Sequence, residues 1–176
     1  SFEPVMLPEY RKLYEINSDI VGWLNIGDGL LSTPVMQRDN EYYLTHDFYG
    51  EEDKHGHVFL DKGNSPQLTD TILYGHNITS DRSMFNILTR YKDTEFAAEH
   101  PVIQLNTLYN RYQYAVAAVY IVSTRPEHGE LFDYISYLKF STRDAKQAYI
   151  AQIQKRSLID TGVKMTADDR LLTLST

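Results

Sequence analysis

Seven short runs of β-branched, aromatic and aliphatic residues are spaced along the chain, with turn-forming residues between them. The runs cover residues 21–26, 33–37, 57–61, 71–74, 102–108, 113–123 and 170–176. Gly, Asn, Asp and Pro separate most of them, as in the turn Gly27-Asp28-Gly29. Many short strands with such turns are typical of a β-barrel or β-sandwich and do not fit a parallel sheet with regular crossovers. We therefore expect a mainly β fold.

The composition predicts a single domain over residues 1–176. The chain is 42% hydrophobic and 23% charged, which is enough to bury a core, and it has no internal repeat or low-complexity linker. A net charge of -7 argues against a nucleic-acid surface and against a polybasic membrane patch. The chain contains no cysteine, which excludes disulfides and Cys-based zinc sites. We expect the 14 tyrosines to lie mostly in the core and at its rim.

Three segments have helical spacing: residues 8–17, 84–91 and 142–157. The first is expected to pack outside the main sheet. The third has a partly apolar face and a polar face; we expect Ala145, Ala148, Tyr149, Ala151 and Ile153 on the first and Lys146, Gln147, Gln152, Lys155 and Arg156 in water. It lies in the connection 124–169, which is much longer than usual and feeds into the last run. Long structured connections usually carry function, so we expect this one to form a wall of a binding groove.

The last run ends in Thr173-Leu174-Ser175-Thr176, and Leu73-Tyr74-Gly75-His76-Asn77 lies about a hundred residues upstream. Together these motifs resemble the sortases, a family of cell-wall transpeptidases in which Thr-Leu-x-Thr-Cys lies on a barrel strand and the Cys is the nucleophile. Further segments occur in the family's order, namely 19–24, 34–37, Asn40, 42–44, 56–61 and 84–85. The helix at 142–157 and the N-terminal helix are similar to those of class B. The resemblance covers essentially the whole chain.

The resemblance implies a sortase-like closed β-barrel with an N-terminal helix and a helix in the long connection before the terminal strand. It implies that His76 is catalytic, and that Leu174, Ser175, Thr176 and Asn77 lie at the substrate. Without that context, a lone His at a strand end is more often a partly buried or solvated structural residue. The nucleophilic Cys is expected directly after Thr176 and an Arg on the following strand. Neither is in this sequence, and Arg82, Arg111 and Arg170 do not match the motif position of that Arg.

The family's activity would be cleavage of a C-terminal sorting signal at Thr, followed by transfer of the protein to a cell-wall or pilin amine. Expected partners are therefore a sorting-signal peptide and an amine acceptor, with no nucleic acid and no cofactor. The implied location is the outer face of the cytoplasmic membrane in a Gram-positive envelope. No apolar run reaches the ~18 to 20 residues of a membrane span, so the N-terminal anchor is expected to be missing from this sequence.

The sequence also admits three other interpretations. A serine hydrolase acting through Ser175 is disfavoured because the chain has no Gly-x-Ser-x-Gly elbow. A metal site is disfavoured because no motif spacing supports it, although the sequence brings several possible ligands near one another: His46, Asp47, Asp53, His55 and His57. We expect His57 to point into or across the sheet. The third alternative is a catalytically silent β-barrel module that binds peptides without a thiol, and a chain without cysteine is predicted to be inactive as it stands.

Overall fold

Nine strands, β1 to β9, form in the part of the chain that the computed structural model describes, which is residues 3–66, 70–123, 125–128, 132–138, 140 and 142–176. In chain order they are Ile20–Ile26, Leu31–Met36, Phe59–Leu60, Asp70–Tyr74, Asn77–Ile78, Ser83–Met84, Val102–Thr107, Arg111–Ala115 and Leu171–Ser175. Each of the seven predicted runs overlaps one of these strands. The short strands β5 and β6 were not predicted; they pair with each other as a separate hairpin.

The other strands form one sheet in the order β8-β7-β1-β2-β3-β4-β9. Its pairs are antiparallel except β2–β3 and β4–β9, which are parallel. The sheet curves into a nearly closed barrel, and its two edge strands, β8 and β9, line the same cavity. Arg170, directly before β9, places its guanidinium 4.2 Å from the ring centroid of Tyr112 in β8 and so spans the opening. The predicted mainly β barrel is confirmed.

Helices lie outside the barrel wall. The α-helices α1 to α4 span Arg11–Ile16, Thr94–Glu99, Tyr134–Tyr137 and Arg143–Arg156, and 3-10 helices span Pro8–Tyr10, Tyr42–Leu44, Phe85–Lys92 and Pro126–His128. The N-terminal helix and the helix of the long connection are thus confirmed. The predicted helix at 84–91 is a 3-10 helix, and α2 and α3 were not predicted. Among the described residues, no helix is long and apolar enough to span a bilayer.

The barrel core contains alternate residues of the strands together with side chains from the 3-10 helix Phe85–Lys92, among them Leu24, Val35, Leu73 and Phe85. A second cluster lies under α1 and includes Tyr10, Ile20, Met36 and Tyr43. A third joins α4 to the outer face of β9 through Tyr149, Ile150, Ile153 and Leu171, with Phe132. The last strand is therefore covered on both faces.

The predicted strand over residues 113–123 is wrong beyond Ala115. Its last strand pair is Val102 with Ala115, after which Val116 donates only to the carbonyl of Pro101 at 2.9 Å. Proline has no backbone N–H and β7 begins at Val102, so the ladder has no partner to continue on. Val119 instead bonds with the end of α4, donating to Ser157 Oγ at 3.1 Å.

The predicted faces of α4 are also partly wrong. Ala148 and Ala151 are exposed, whereas Lys146 is buried. The ammonium of Lys146 lies 2.8 Å from a carboxylate oxygen of Asp70 and 2.6 Å from the carbonyl oxygen of Asp169. The same Asp70 oxygen accepts from the backbone N–H of Leu171 at 3.2 Å. Lys146 therefore lies in a buried ion pair at the start of the β4–β9 ladder and not in water as predicted.

We expect Lys146→Met to lower the free energy of unfolding by about 3 kcal/mol, because removing one partner of a buried ion pair leaves the other charge uncompensated. Adding Asp70→Asn should recover much of this loss, since an amide oxygen still accepts from Leu171 and no charge remains. Urea unfolding followed by circular dichroism measures both changes.

The matched control is Arg143→Met, which removes the exposed ion pair with Asp168. Exposed pairs contribute little to stability, so its unfolding midpoint should stay near that of the parent. Equal losses in Lys146→Met and Arg143→Met would contradict a special role for the buried pair.

Candidate active site

The parallel pairing of β4 with β9 brings two distant motifs to one end of the barrel. The register runs from Asp70 opposite Leu171 to Tyr74 opposite Ser175. Beyond it, the backbone N–H of Gly75 donates to the carbonyl of Ser175 at 3.1 Å, which continues the ladder. His76 follows Gly75 in one chain segment, and Thr176 follows Ser175 in the other. The sheet itself therefore places them together.

His76 is held at both its backbone and its side chain. Its carbonyl accepts from the backbone N–H of Phe85 at 2.8 Å, where the β5–β6 hairpin ends. Its ring Nε2 lies 2.7 Å from the carbonyl oxygen of Leu44. The side chain is half-buried, which leaves part of the ring in contact with solvent. A fixed, reachable imidazole can take or give a proton.

Gly75 lets the chain turn into the site over the ring of Phe85. A Cβ atom at this position would lie 2.9 Å from the Phe85 ring, which is itself fully buried in the barrel core. Any larger side chain would displace either that ring or the strand end that carries His76. Close packing against Phe85 therefore explains why a glycine lies between Tyr74 and His76.

The alternation of β9 sends its side chains to two environments. Leu172 and Leu174 pack against the barrel core. Thr173 shares a hydrogen bond with the Tyr149 hydroxyl at 3.3 Å, and the Oγ of Ser175 shares one with the Tyr134 hydroxyl. The leucines thus fill the barrel, and the small hydroxyl residues fit under the long connection.

The structure brings the other predicted site residues to the same end of the barrel. Asn77 is exposed and its side-chain oxygen accepts from Asn86 at 2.8 Å. Leu174 is half-buried, Ser175 is buried and Thr176 is exposed. All four line one cavity of about 810 Å³; His76, the neighbour of Asn77 in sequence, is not among the described residues that line it.

That cavity lies between β9 and the chain from β8 to Val122. The connection 124–169 adds further lining residues: Tyr134, Tyr149, Ile153, Val163, Lys164, Met165 and Asp169. The apolar walls with a few hydroxyl groups suit an extended peptide. Several residues of the connection, namely 124, 129–131, 139 and 141, lie outside the described residues, so the expected wall is seen only in part.

Sequence reasoning missed three parts of the site. Tyr134 touches Ser175, and Phe85 supports Gly75, but neither contact has a local sequence signal because each joins distant segments. The Leu44 carbonyl belongs to the backbone, so no residue type could reveal it.

The candidate metal ligands have other partners: the His46 ring lies 2.9 Å from the Tyr42 carbonyl oxygen, and Asp47 accepts from the backbone N–H groups of Tyr49 and Glu51. Among the described residues, no group of three or more His, Cys, Asp and Glu side chains could hold a metal ion. His57 is buried beside Tyr43 and Phe48, as expected, and burial lowers its pKa. His55 instead binds two carboxylates: Nδ1 lies 2.8 Å from Asp53 and Nε2 2.7 Å from Asp81.

The hydrogen bonds of His55 to Asp53 and Asp81 should make the stability of the β5–β6 hairpin depend on pH. Both ring nitrogens must carry protons to donate to two carboxylates, so the hydrogen bonds to Asp81 and Asp53 raise the pKa of His55. Hydrogen bonds from Ser83 and then His55 lower the pKa of Asp81 to about 2. Because the folded-state pKa of His55 is raised, its stabilisation is complete below the unfolded value of about 6.5 and is lost as the pH rises through the folded value.

We expect amides of residues 77–84 to lose hydrogen-exchange protection between about pH 5 and pH 8, measured relative to amides of the β7–β8 hairpin. His55→Gln should remove this pH dependence, because glutamine has no titrating group. A parent protein whose relative protection is the same at both pH values would contradict the role of the bridge.

Two curated relatives are similar along most of the chain. Sortase B of Listeria monocytogenes is 36% identical over 171 residues, which are 96% of this chain and 66% of the relative. Sortase B of Staphylococcus aureus is 33% identical over 174 residues, which are 96% of this chain and 67% of the relative. The chain thus spans about two thirds of the length of these curated relatives. No family model matches it.

Solved structures show the same barrel. A Staphylococcus aureus sortase B–substrate complex has a TM-score of 0.87 and 31% identity, covering 97% of this chain and 77% of that one. A sortase B complexed with triglycine has a TM-score of 0.83 and 30% identity, covering 96% and 77%. The similarity in sequence and the similarity in fold therefore both lead to sortase B proteins.

Proposed function

The chain belongs to the class B sortase family, and we propose that it is the catalytic domain of a cysteine transpeptidase. The proposed reaction is cleavage of a C-terminal sorting signal at Thr and transfer of the protein to a cell-wall or pilin amine. The β4–β9 register is the observation that carries this proposal, because it sets His76 beside the end of the Thr-Leu-Ser-Thr run. Since the chain spans about two thirds of its curated relatives, the activity is proposed for the whole protein.

The proposed nucleophile is a Cys directly after Thr176. The register pairs Tyr74 with Ser175, so its continuation sets residue 177 opposite His76. A thiol there would lie beside the imidazole, as nucleophilic catalysis requires. The family's Arg is proposed on a following strand, where it would stabilise the oxyanion or hold the substrate.

The steps follow from these groups. The Cys thiolate attacks the carbonyl carbon of the Thr in the sorting signal, and a tetrahedral oxyanion forms. Its collapse breaks the peptide bond and leaves a thioester, while protonated His76 gives its proton to the leaving amine. The acceptor amine then attacks the thioester and loses a proton to the neutral His76; the new amide bond forms as the C–S bond breaks, which restores the thiolate and the protonated imidazole.

Substrate contacts are proposed for Leu174, Ser175, Thr176 and Asn77, which line the cavity together. The connection 124–169 forms one wall of this groove through residues such as Tyr134 and Tyr149. The partners are a sorting-signal peptide and an amine acceptor. The solved sortase B complexes with a substrate and with triglycine support both kinds of partner. The proposed location is the outer face of the cytoplasmic membrane in a Gram-positive envelope.

The alternative is a peptide-binding barrel without catalysis. The chain contains no cysteine, which is the observation in favour of this alternative. Sequencing the natural gene separates the two proposals: a Cys codon after Thr176 supports the enzyme, and a stop codon there supports the silent module.

In the natural full-length protein, His76→Ala should lower peptide cleavage by roughly 10²- to 10⁴-fold, the usual contribution of a general acid–base group. A fluorogenic sorting peptide measures the rate, and circular dichroism checks the fold. The matched control is His100→Ala, which removes another half-buried histidine that pairs with Asp28. Activity of His76→Ala within about threefold of the parent would contradict the assignment.

The polypeptide 1–176 should form no covalent adduct with a sorting peptide. It has no thiol, and a neutral serine is a poor nucleophile without an adjacent base and oxyanion donors. Intact mass spectrometry after incubation with candidate peptides tests this. An adduct on Ser175 would revive the serine-hydrolase interpretation.

A further inference from the structure

The ring of His76 points one nitrogen at a backbone carbonyl. Its Nε2 lies 2.7 Å from the carbonyl oxygen of Leu44, a strong hydrogen-bond distance. A carbonyl oxygen can only accept, so Nε2 must carry the proton. In the neutral ring this leaves Nδ1 as the basic atom. In the charged ring Nδ1 carries the proton that can be given away.

The Leu44 carbonyl lies in a segment fixed on several sides. It ends the 3-10 helix Tyr42–Leu44, and just before this helix Asp39 accepts from the N–H groups of Glu41 and Tyr42 at 2.9 and 2.7 Å. The Tyr43 side chain is fully buried, and its hydroxyl donates to Asp19 at 2.7 Å. The Tyr43 carbonyl accepts from the N–H of His57 at 2.7 Å. The carbonyl therefore has little freedom to follow a moving imidazole.

Gly56 makes this arrangement possible. A Cβ atom at Gly56 would lie 2.3 Å from the carbonyl oxygen of Tyr43 and 2.8 Å from that of Leu44. Both are backbone atoms, so the clash could not be relieved by a side-chain rotation. Gly56 also has φ +59°, a left-handed conformation that favours glycine. Any other residue would push away the two carbonyls that lie above it.

We propose that Gly56 is a positioning residue for the reaction and acts on His76 through the Leu44 carbonyl. By allowing the close approach, it holds that carbonyl where it orients the imidazole, keeps the proton on Nε2 and leaves Nδ1 to exchange the proton with the leaving amine. This rests on the proposed role of His76 as the acid–base group. The carbonyl takes the orienting place that a carboxylate has in a Ser-His-Asp triad. Unlike a carboxylate it is neutral, so it orients the ring without a compensating negative charge.

The first test examines the unsubstituted clamp, by which we mean the Nε2–H of His76 bonded to the Leu44 carbonyl above Gly56. Long-range ¹H–¹⁵N NMR on the chain, with His76→Ala to assign the signal, reports which ring nitrogen is protonated. We expect a neutral His76 with a resolved, slowly exchanging Nε2–H and an unprotonated Nδ1, because a hydrogen-bonded proton exchanges slowly. A proton on Nδ1, or an Nε2–H that exchanges as fast as that of an exposed imidazole, would overturn the proposal.

The second test compares two glycines of positive φ. Gly56→Ala should displace the Leu44 carbonyl, whereas Gly29→Ala carries backbone strain at φ +98° but has no atom within 4 Å of its new Cβ. In the natural full-length protein we expect Gly56→Ala to lower kcat by about 10- to 100-fold with KM little changed, since misplacing a catalytic group by about 1 Å has this effect. Gly29→Ala should leave kcat near the parent value. Equal kcat values for the two folded variants would refute the positioning role.

NMR on Gly56→Ala supplies a readout that loss of stability alone would not change. The slowly exchanging Nε2–H of His76 should disappear in this variant and persist in Gly29→Ala, and its persistence in a folded Gly56→Ala would count against the proposal. If Gly56→Ala fails to fold, the unsubstituted chain still decides the protonation state. Failure of the clamp also differs from failure of the proposed function. If the parent has the clamp but His76→Ala keeps full activity, His76 has no catalytic role. If His76→Ala is inactive but the parent lacks the clamp, only the role of Gly56 is refuted.

Discussion

The parallel ladder between β4 and β9 is the constraint on which the site depends. These strands are about a hundred residues apart in sequence, yet their register sets Tyr74 opposite Ser175 and the following residues side by side. At its other end the ladder is held by Asp70, which accepts from both the Lys146 ammonium and the Leu171 backbone. A slip of one residue would turn every β9 side chain to the wrong face and separate His76 from the end of the motif.

The Thr-Leu-Ser-Thr run can be explained by the two surfaces that β9 contacts. The inner face must fill the barrel, which leucine does at Leu172 and Leu174. The outer face must fit beneath the tyrosine hydroxyls of the long connection, where Thr173 and Ser175 are short enough and supply hydrogen-bond partners. The motif is therefore a packing requirement as well as a support for chemistry, and its strand is rigid because both faces are covered.

Sequence reasoning succeeded where a pattern is local and failed where a contact is not. The alternation of apolar residues and the turn residues predict the strands, and the order of the motifs predicts which strand ends carry the site. The barrel and the position of His76 at a strand end could therefore be predicted from the sequence. The end of β8 at Ala115 was not, because it depends on where the partner strand begins. The burial of Lys146 depends on Asp70, 76 positions away, which helix periodicity cannot reveal. The close approach of Gly56 to the carbonyls of Tyr43 and Leu44 likewise joins separate segments and has no local sequence signal.

The environment of Ser175 argues against it as a nucleophile. Its side chain is buried, and its hydroxyl is engaged with Tyr134 on the outer face of β9. A serine nucleophile needs a base that removes its proton, and a neutral tyrosine hydroxyl is not such a base. The imidazole of His76 is instead directed by the Leu44 carbonyl, two positions beyond the pair of Tyr74 with Ser175. The hydroxyl of Ser175 and the imidazole of His76 are thus each engaged with a different partner, which disfavours a serine nucleophile at this site.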